Sequence, residues 1–107
     1  MDKLLRNTLL YDFYGELLTT KRKNIYRMYF LEDMTMEEVG ERLGITRQAV
    51  NFSLKQTQTK LEVFEEKLGM LMLSERMKRH IDALERAFGS DDAKSKRQIL
   101  DKMKELF

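Results

Sequence analysis

Apolar residues recur along this chain at helical spacing, and short polar or glycine-bearing breaks divide the pattern into six predicted helices. The first runs from Lys3 to about Leu17. Its apolar residues Leu4, Leu9, Leu10, Tyr11, Phe13, Tyr14, Leu17 and Leu18 spread over more than half of the circumference, leaving Thr8, Asp12 and Glu16 as the continuous polar strip. So wide an apolar arc predicts packing on two sides, as in a central helix or a subunit interface. Thr19 or Thr20 caps a second helix, which runs to about Leu31 and buries Ile25, Met28 and Tyr29. Thr35 opens a third as a capping box with Glu38, pointing Met36, Val39 and Leu43 inward. Gly44 ends it, Ile45 plugs the core, and Thr46 caps the fourth helix.

That fourth helix is predicted from about Arg47 to Leu68, or ~33 Å at 1.5 Å per residue. Val50, Leu54, Thr57, Leu61, Phe64, Leu68 and Leu71 alternate spacings of four and three, a coiled-coil-like seam. Gly69 permits a bend. A fifth helix, from Met70 or Ser74 to Phe88, carries Leu73, Met77, Ile81, Leu84 and Phe88 on one face and stops at Gly89. Ser90 caps the sixth, with Asp91 and Asp92 in its first turn and Ile99, Leu100, Met103, Leu106 and Phe107 as its stripe. The expected architecture is all-α: a helix-turn-helix domain over residues 1–69, then a helical extension over 70–107 packed on the same core or on a partner subunit.

Composition narrows the function classes. With no proline and only five glycines in 107 residues, few positions must break a helix. No stretch approaches the ~20 apolar residues of a membrane span, the first residues lack the pattern of a secretory signal, and there is no cysteine for disulfides or thiolate metal sites. A cytoplasmic location is expected. The net charge is +2; residues 1–69 carry 11 basic and 11 acidic side chains, and the small excess lies in residues 70–107. That is modest for a phosphate binder.

The segment MEEVGERLGITRQAV holds the most information. A helix-turn-helix needs a small residue where its two helices cross, a glycine in the turn, and apolar pins on both helices. Gly40, Gly44, and Val39, Leu43, Ile45 and Val50 meet those needs at the expected spacing. There is a departure at Ser53, which stands where the next pin would fall; Leu54, the following residue, serves as the pin instead. Outward on the fourth helix lie Gln48, Asn51, Phe52, Lys55 and Thr59, with Arg47 and the cap Thr46 at its start. Gln and Asn suit adenine edges, and Arg suits guanine or phosphate; the same residues also fit an ordinary polar surface. Glu37, Glu38 and Glu41, then Glu62, Glu65 and Glu66, flank that surface with charge that repels phosphate. Phe52 is an apolar ring on a solvent face, able to touch a thymine methyl, stack on an unpaired base or sit under a protein partner.

A second basic surface, with Arg76, Lys78, Arg79, Arg86, Lys94, Lys96, Arg97, Lys102 and Lys104, is interleaved with Asp82, Glu85, Asp101 and Glu105 and reads as a solvated face, the alternative being a phosphate-contacting patch for RNA. His80 is the one histidine and has no second ligand type beside it. No nucleophile–base set, metal-spaced cluster or phosphate-cradling glycine loop is present, so neither enzyme chemistry nor a cofactor is expected. The eight methionines read mostly as core filler.

In LLYDFYGELLT, YRMYFLEDMTMEEVGERLGITRQAV and KLEVFEEKLG the chain resembles the YlxM family, the p13-like helix-turn-helix proteins, over about residues 5–70. The resemblance implies a fold like the C-terminal promoter-reading domain of bacterial sigma factors. It also implies a small cytoplasmic bacterial protein acting in, or regulating, the signal recognition particle pathway. Asn51-Phe52 departs from relatives, which more often carry an aromatic followed by an acidic or polar residue there. Three functions are therefore expected to compete. One is a dimeric DNA-binding regulator reading through Thr46, Arg47, Gln48, Asn51, Phe52 and Lys55. Another is an accessory that binds the signal recognition particle RNA or GTPase. The last is a purely architectural homodimer built on the first helix and the seam.

Overall fold

The computed structural model describes residues 2–90 and 92–107, Ser90 by its backbone alone. It contains six α-helices: α1 (Lys3–Tyr14), α2 (Thr20–Tyr26), α3 (Met36–Leu43), α4 (Arg47–Leu68), α5 (Met70–Ser90) and α6 (Ala93–Lys104). They form two compact units, Met1–Leu68 and Gly69–Phe107.

In the first unit α4 is the spine, and α1, α2 and α3 all pack on it. The side chains between them are the ones a 3.6-residue period turns inward: Leu10 and Tyr14 from α1, Ile25 and Tyr26 from α2, Val39 from α3, and Val50, Leu54, Thr57 and Leu61 from α4, all buried. The seam expected of α4 holds as far as Leu61 and then changes. Glu65 is buried, Phe64 is half-buried and Leu68 is 58% exposed. A strict heptad seam needs one long partner helix along its whole length, and within this unit α4 meets three short helices. At its C-terminal end it meets the ring of Tyr14, whose hydroxyl donates to Glu65 Oε1 at 2.6 Å while Phe64 packs tilted on the same ring. A phenol donor makes a carboxylate tolerable where a leucine was expected. Glu65 thus belongs to the core and not to the acidic flank.

Helix boundaries follow capping chemistry. Thr19, rather than Thr20, caps α2 by accepting from the Arg22 amide. The α1 segment tightens after Tyr14 into a 3-10 turn, Gly15–Leu17. The α2 segment widens into a π-helical turn, Arg27–Leu31, closed by the Glu32 amide donating to the Arg27 carbonyl. The extra residue in that turn shifts the inward register. Tyr26, at the end of α2, is fully buried, and Tyr29, expected inside, is half-buried within the turn. The Tyr26 ring stacks on Tyr11 at 5.2 Å and packs on Phe30 at 4.5 Å, and its hydroxyl donates to the Asn7 carbonyl at the long distance of 3.4 Å. Burial first, and the Tyr11 hydroxyl second, push the Tyr26 phenol above its ordinary range.

The second unit is a pair of packed helices. Its apolar stripe is less covered than expected: Leu71 and Ala87 are buried, Leu73, Met77 and Leu84 half-buried, and Ile81 and Phe88 exposed. Gly89 does not stop α5, which continues through Ser90, because a glycine permits a left-handed turn without enforcing one. The cap of α6 is Asp92, not Ser90; its carboxylate accepts from the Lys94 and Ser95 amides and the Ser95 hydroxyl. Those bonds, the hydroxyl's foremost, hold the Asp92 carboxyl below its usual value. Asp91, expected in the first turn, lies outside the described residues. Lys96 sits over the Phe88 ring, 4.4 Å from its centroid.

Candidate nucleic-acid interface

The segment from Thr35 to Leu61 is built residue by residue as a helix-turn-helix requires. Thr35 Oγ1 accepts from the Glu38 amide while Glu38 returns a carboxylate to the Thr35 amide, so both ends of the capping box are closed. Val39 is completely buried and Met36 half-buried, whereas Leu43, expected inward, is 37% exposed on the last turn. Gly44 then adopts φ +69°, ψ 34°, the left-handed conformation that ends α3 without a Cβ penalty. The chain doubles back so closely that a Cβ on Gly40 would lie 2.7 Å from the Ile45 carbonyl oxygen. Ile45 in turn donates its amide to the Gly40 carbonyl at 2.9 Å. Thr46 starts α4 by accepting from the Ala49 amide at 3.0 Å. Val50 and Leu54 pin α4 from the inside, with Ser53 half-buried beside them. The displaced pin is therefore absorbed within a regular helix.

The outward face that results holds Gln48, Phe52, Lys55 and Thr59, all exposed, and Phe52 is 63% exposed. Other residues named from the sequence stand differently. Asn51 is half-buried, in a groove it shares with Leu4, Tyr29, Phe30 and Met36. Thr46 spends its hydroxyl oxygen on the helix cap. Arg47 is exposed but bound, its Nε 2.8 Å from Glu37 Oε1. A phosphate reaching Arg47 would have to displace that carboxylate.

Between α2 and α4, Arg22 donates to Gln56 Oε1 at 3.0 Å. Sequence reasoning passed over Lys21 and Arg22, whose approach to Phe52 depends on how α2 docks on α4, and over Gln56, which lies one turn after Phe52 on α4 itself. Lys23 is engaged with Glu16. At the far end of α4, Arg6 grips Glu62 through two 2.8 Å bonds, and this hydrogen bonding holds the Glu62 carboxyl below its ordinary value. Among the described residues, no group of three or more His, Asp or Glu side chains is arranged to hold a metal ion, and no helix is long and apolar enough to cross a membrane.

Six helices without a strand among the described residues, centred on a close glycine-mediated crossing and a left-handed turn, define an all-α protein of the helix-turn-helix class. Residues 1–106 match the family model described as "Putative helix-turn-helix protein, YlxM / p13 like". The chain belongs to that family, UPF0122. It is 44% identical over 85 residues to a UPF0122 protein of Thermoanaerobacter sp. (strain X514), covering 79% of this chain and 73% of the relative. A UPF0122 protein of Geobacillus kaustophilus (strain HTA426) is 39% identical over 95 residues, covering 85% and 86%. One of Listeria innocua is 43% identical over 84 residues, covering 78% and 76%.

Proposed function

We propose that this protein is a nucleic-acid-binding regulator that lays the outward face of α4 against a duplex, with no catalytic step of its own. The observation that carries the reading is the exposed row Gln48, Phe52, Lys55 and Thr59 on a helix whose inward row is locked by Val50 and Leu54. A rigid helix presented over a fixed turn is what a major groove accepts. Gln48 then has a base edge within its chemistry, Lys55 a phosphate, and the half-buried Asn51 an auxiliary contact. Arg47 contributes once it exchanges Glu37 for a phosphate, so Glu37 acts as a brake on affinity. Leu4, Leu5, Phe13 and Leu17 are exposed on α1 and the turn after it, which supports a homodimer placing two such helices on one duplex.

The test is fluorescence anisotropy with a labelled mixed-sequence duplex over a salt series. Binding is expected to weaken with salt at a shallow slope, reflecting few phosphate contacts. Lys55→Ala should lower the slope and Gln48→Ala the affinity, while Glu37→Gln should raise affinity by freeing Arg47. Unchanged affinity in Gln48→Ala and Lys55→Ala together would defeat the reading. The equal numbers of basic and acidic charges in residues 1–69 favour a second reading, an accessory that contacts the RNA or the GTPase of the signal recognition particle. It predicts co-purification with either component under mild salt, and its absence there would count against it.

A further inference from the structure

Phe52 forms one rim of a concave groove of about 300 Å³ between α2 and α4, at the low end of the range for ligand clefts. Its apolar lining includes Ile25, Ile45 and Ala49, and its polar lining comes from Thr19, Ser53 and Gln56. The charged residues lining it, Lys21 and Arg22, are both basic. Three other surface grooves each include a carboxylate: Asp33 and Glu37 in one, Asp2 in another, Glu62 and Glu66 in the third. An exposed aromatic face, two cations without a carboxylate beside them in the groove, and an amide together describe one chemistry. Stacking needs the face of a base, phosphate needs the cations, and a base edge needs the amide.

We infer that this groove binds the base of an unpaired nucleotide, stacked on Phe52, with Lys21 and Arg22 holding the adjoining phosphates and Gln56 reading the base edge. The inference rests on the nucleic-acid reading above and extends it, since a paired base offers a groove-binding protein its edge and not its face. Gln56 is suited to the task because its oxygen is already fixed by Arg22, at 3.0 Å, so its two N–H donors are oriented. DNA and RNA both supply such a nucleotide, in a bulge, a loop or a melted step.

The experiment compares three labelled probes at one salt concentration: a perfect DNA duplex, the same duplex with a single-nucleotide bulge, and an RNA duplex with the same bulge. The full-length protein is expected to bind a bulged probe about tenfold more tightly than the perfect duplex, the scale of one base–aromatic stack. A preference for one bulged probe over the other assigns the natural source. Phe52→Ala should bring affinity for the bulged probes down to that for the perfect duplex, and Phe52→Trp should keep the preference. Lys21→Ala should weaken bulge binding and its salt dependence together. Equal affinity of the wild type for bulged and perfect duplexes overturns the inference alone and leaves the ring to a protein surface. A preference for the bulged probes that survives in Phe52→Ala, with its thermal unfolding unchanged, also overturns it. No binding to any probe overturns the nucleic-acid reading and this inference with it.

Discussion

Gly40 is the position where a single methyl group should do most damage to the helix-turn-helix. Replacing it with alanine places a Cβ 2.7 Å from the Ile45 carbonyl oxygen, about 0.7 Å short of the 3.4 Å at which ordinary contact begins. The obstacle is backbone, so no rotamer change relieves it. Ile45 is also bonded to Gly40 through its own amide, at 2.9 Å, so opening the gap strains the turn that aims α4. Overpacking of this kind costs ~1–3 kcal/mol. Alanine recovers ~1 kcal/mol of helix propensity over glycine. Because the obstacle is backbone, the upper half of the overpacking range applies, ~2–3 kcal/mol, and the net loss is about 1–2 kcal/mol, or roughly 4–16 °C in melting temperature for a unit of this size.

Thermal and urea unfolding followed by far-ultraviolet circular dichroism measures it, with two glycine controls that separate clash from conformation. At Gly44 a Cβ meets nothing within 4 Å, but φ is +69°, so Gly44→Ala carries only the left-handed penalty of ~1–2 kcal/mol. At Gly89 a Cβ also meets nothing within 4 Å and the backbone is helical, so alanine should be neutral or stabilising. Nucleic-acid affinity should fall in Gly40→Ala at temperatures where it remains folded, because α4 is tilted away. If Gly40→Ala is as stable as the wild type, the two helices do not cross as described, and α4 is not aimed at a groove by this turn.

Three further outcomes are expected. Thr57 Oγ1 is buried and finds no hydrogen-bond partner among the described residues, so Thr57→Val should raise stability by about 1 kcal/mol in the same assay; a loss would mean the hydroxyl is satisfied in solution. Tyr14→Phe removes the phenol that donates to buried Glu65, and about 1–3 kcal/mol of stability should go with it; an unchanged urea midpoint would exclude that role. Glu62 titrates below its ordinary 4.5 because Arg6 bonds its charged form. A lowered folded value means the stabilisation is present above the unfolded pKa and is lost as pH falls through the folded one. Both side chains are more than a third exposed, so the effect should stay under ~1 kcal/mol, and the acid limb of a stability–pH profile should flatten in Glu62→Gln.

Local chemistry made much of this molecule readable from residue order alone. Thr35 with Glu38, Gly44 before Ile45, and Thr46 before Arg47 carry their own hydrogen-bonding instructions within four residues, so α3, the turn and the start of α4 fall where the pattern places them. The exposed face of α4 follows from its buried face by helical period, so Phe52 is legible as an exposed ring from the pattern itself. Other features depend on what lies across a contact. A π-helical turn leaves no mark in composition, so Tyr29, assigned to the inside, is only half-buried, while Tyr26, which the pattern did not single out, is fully buried. Glu65 reads as surface charge until Tyr14, 51 residues away, brings its hydroxyl. Arg47 reads as a free cation until Glu37 closes on it, and Lys21 and Arg22 become neighbours of Phe52 only when α2 docks on α4. Capping and period act through bonds between near residues, which a sequence lists in order; burial of a charge and the making of a groove are set by long-range packing, which only the folded chain decides.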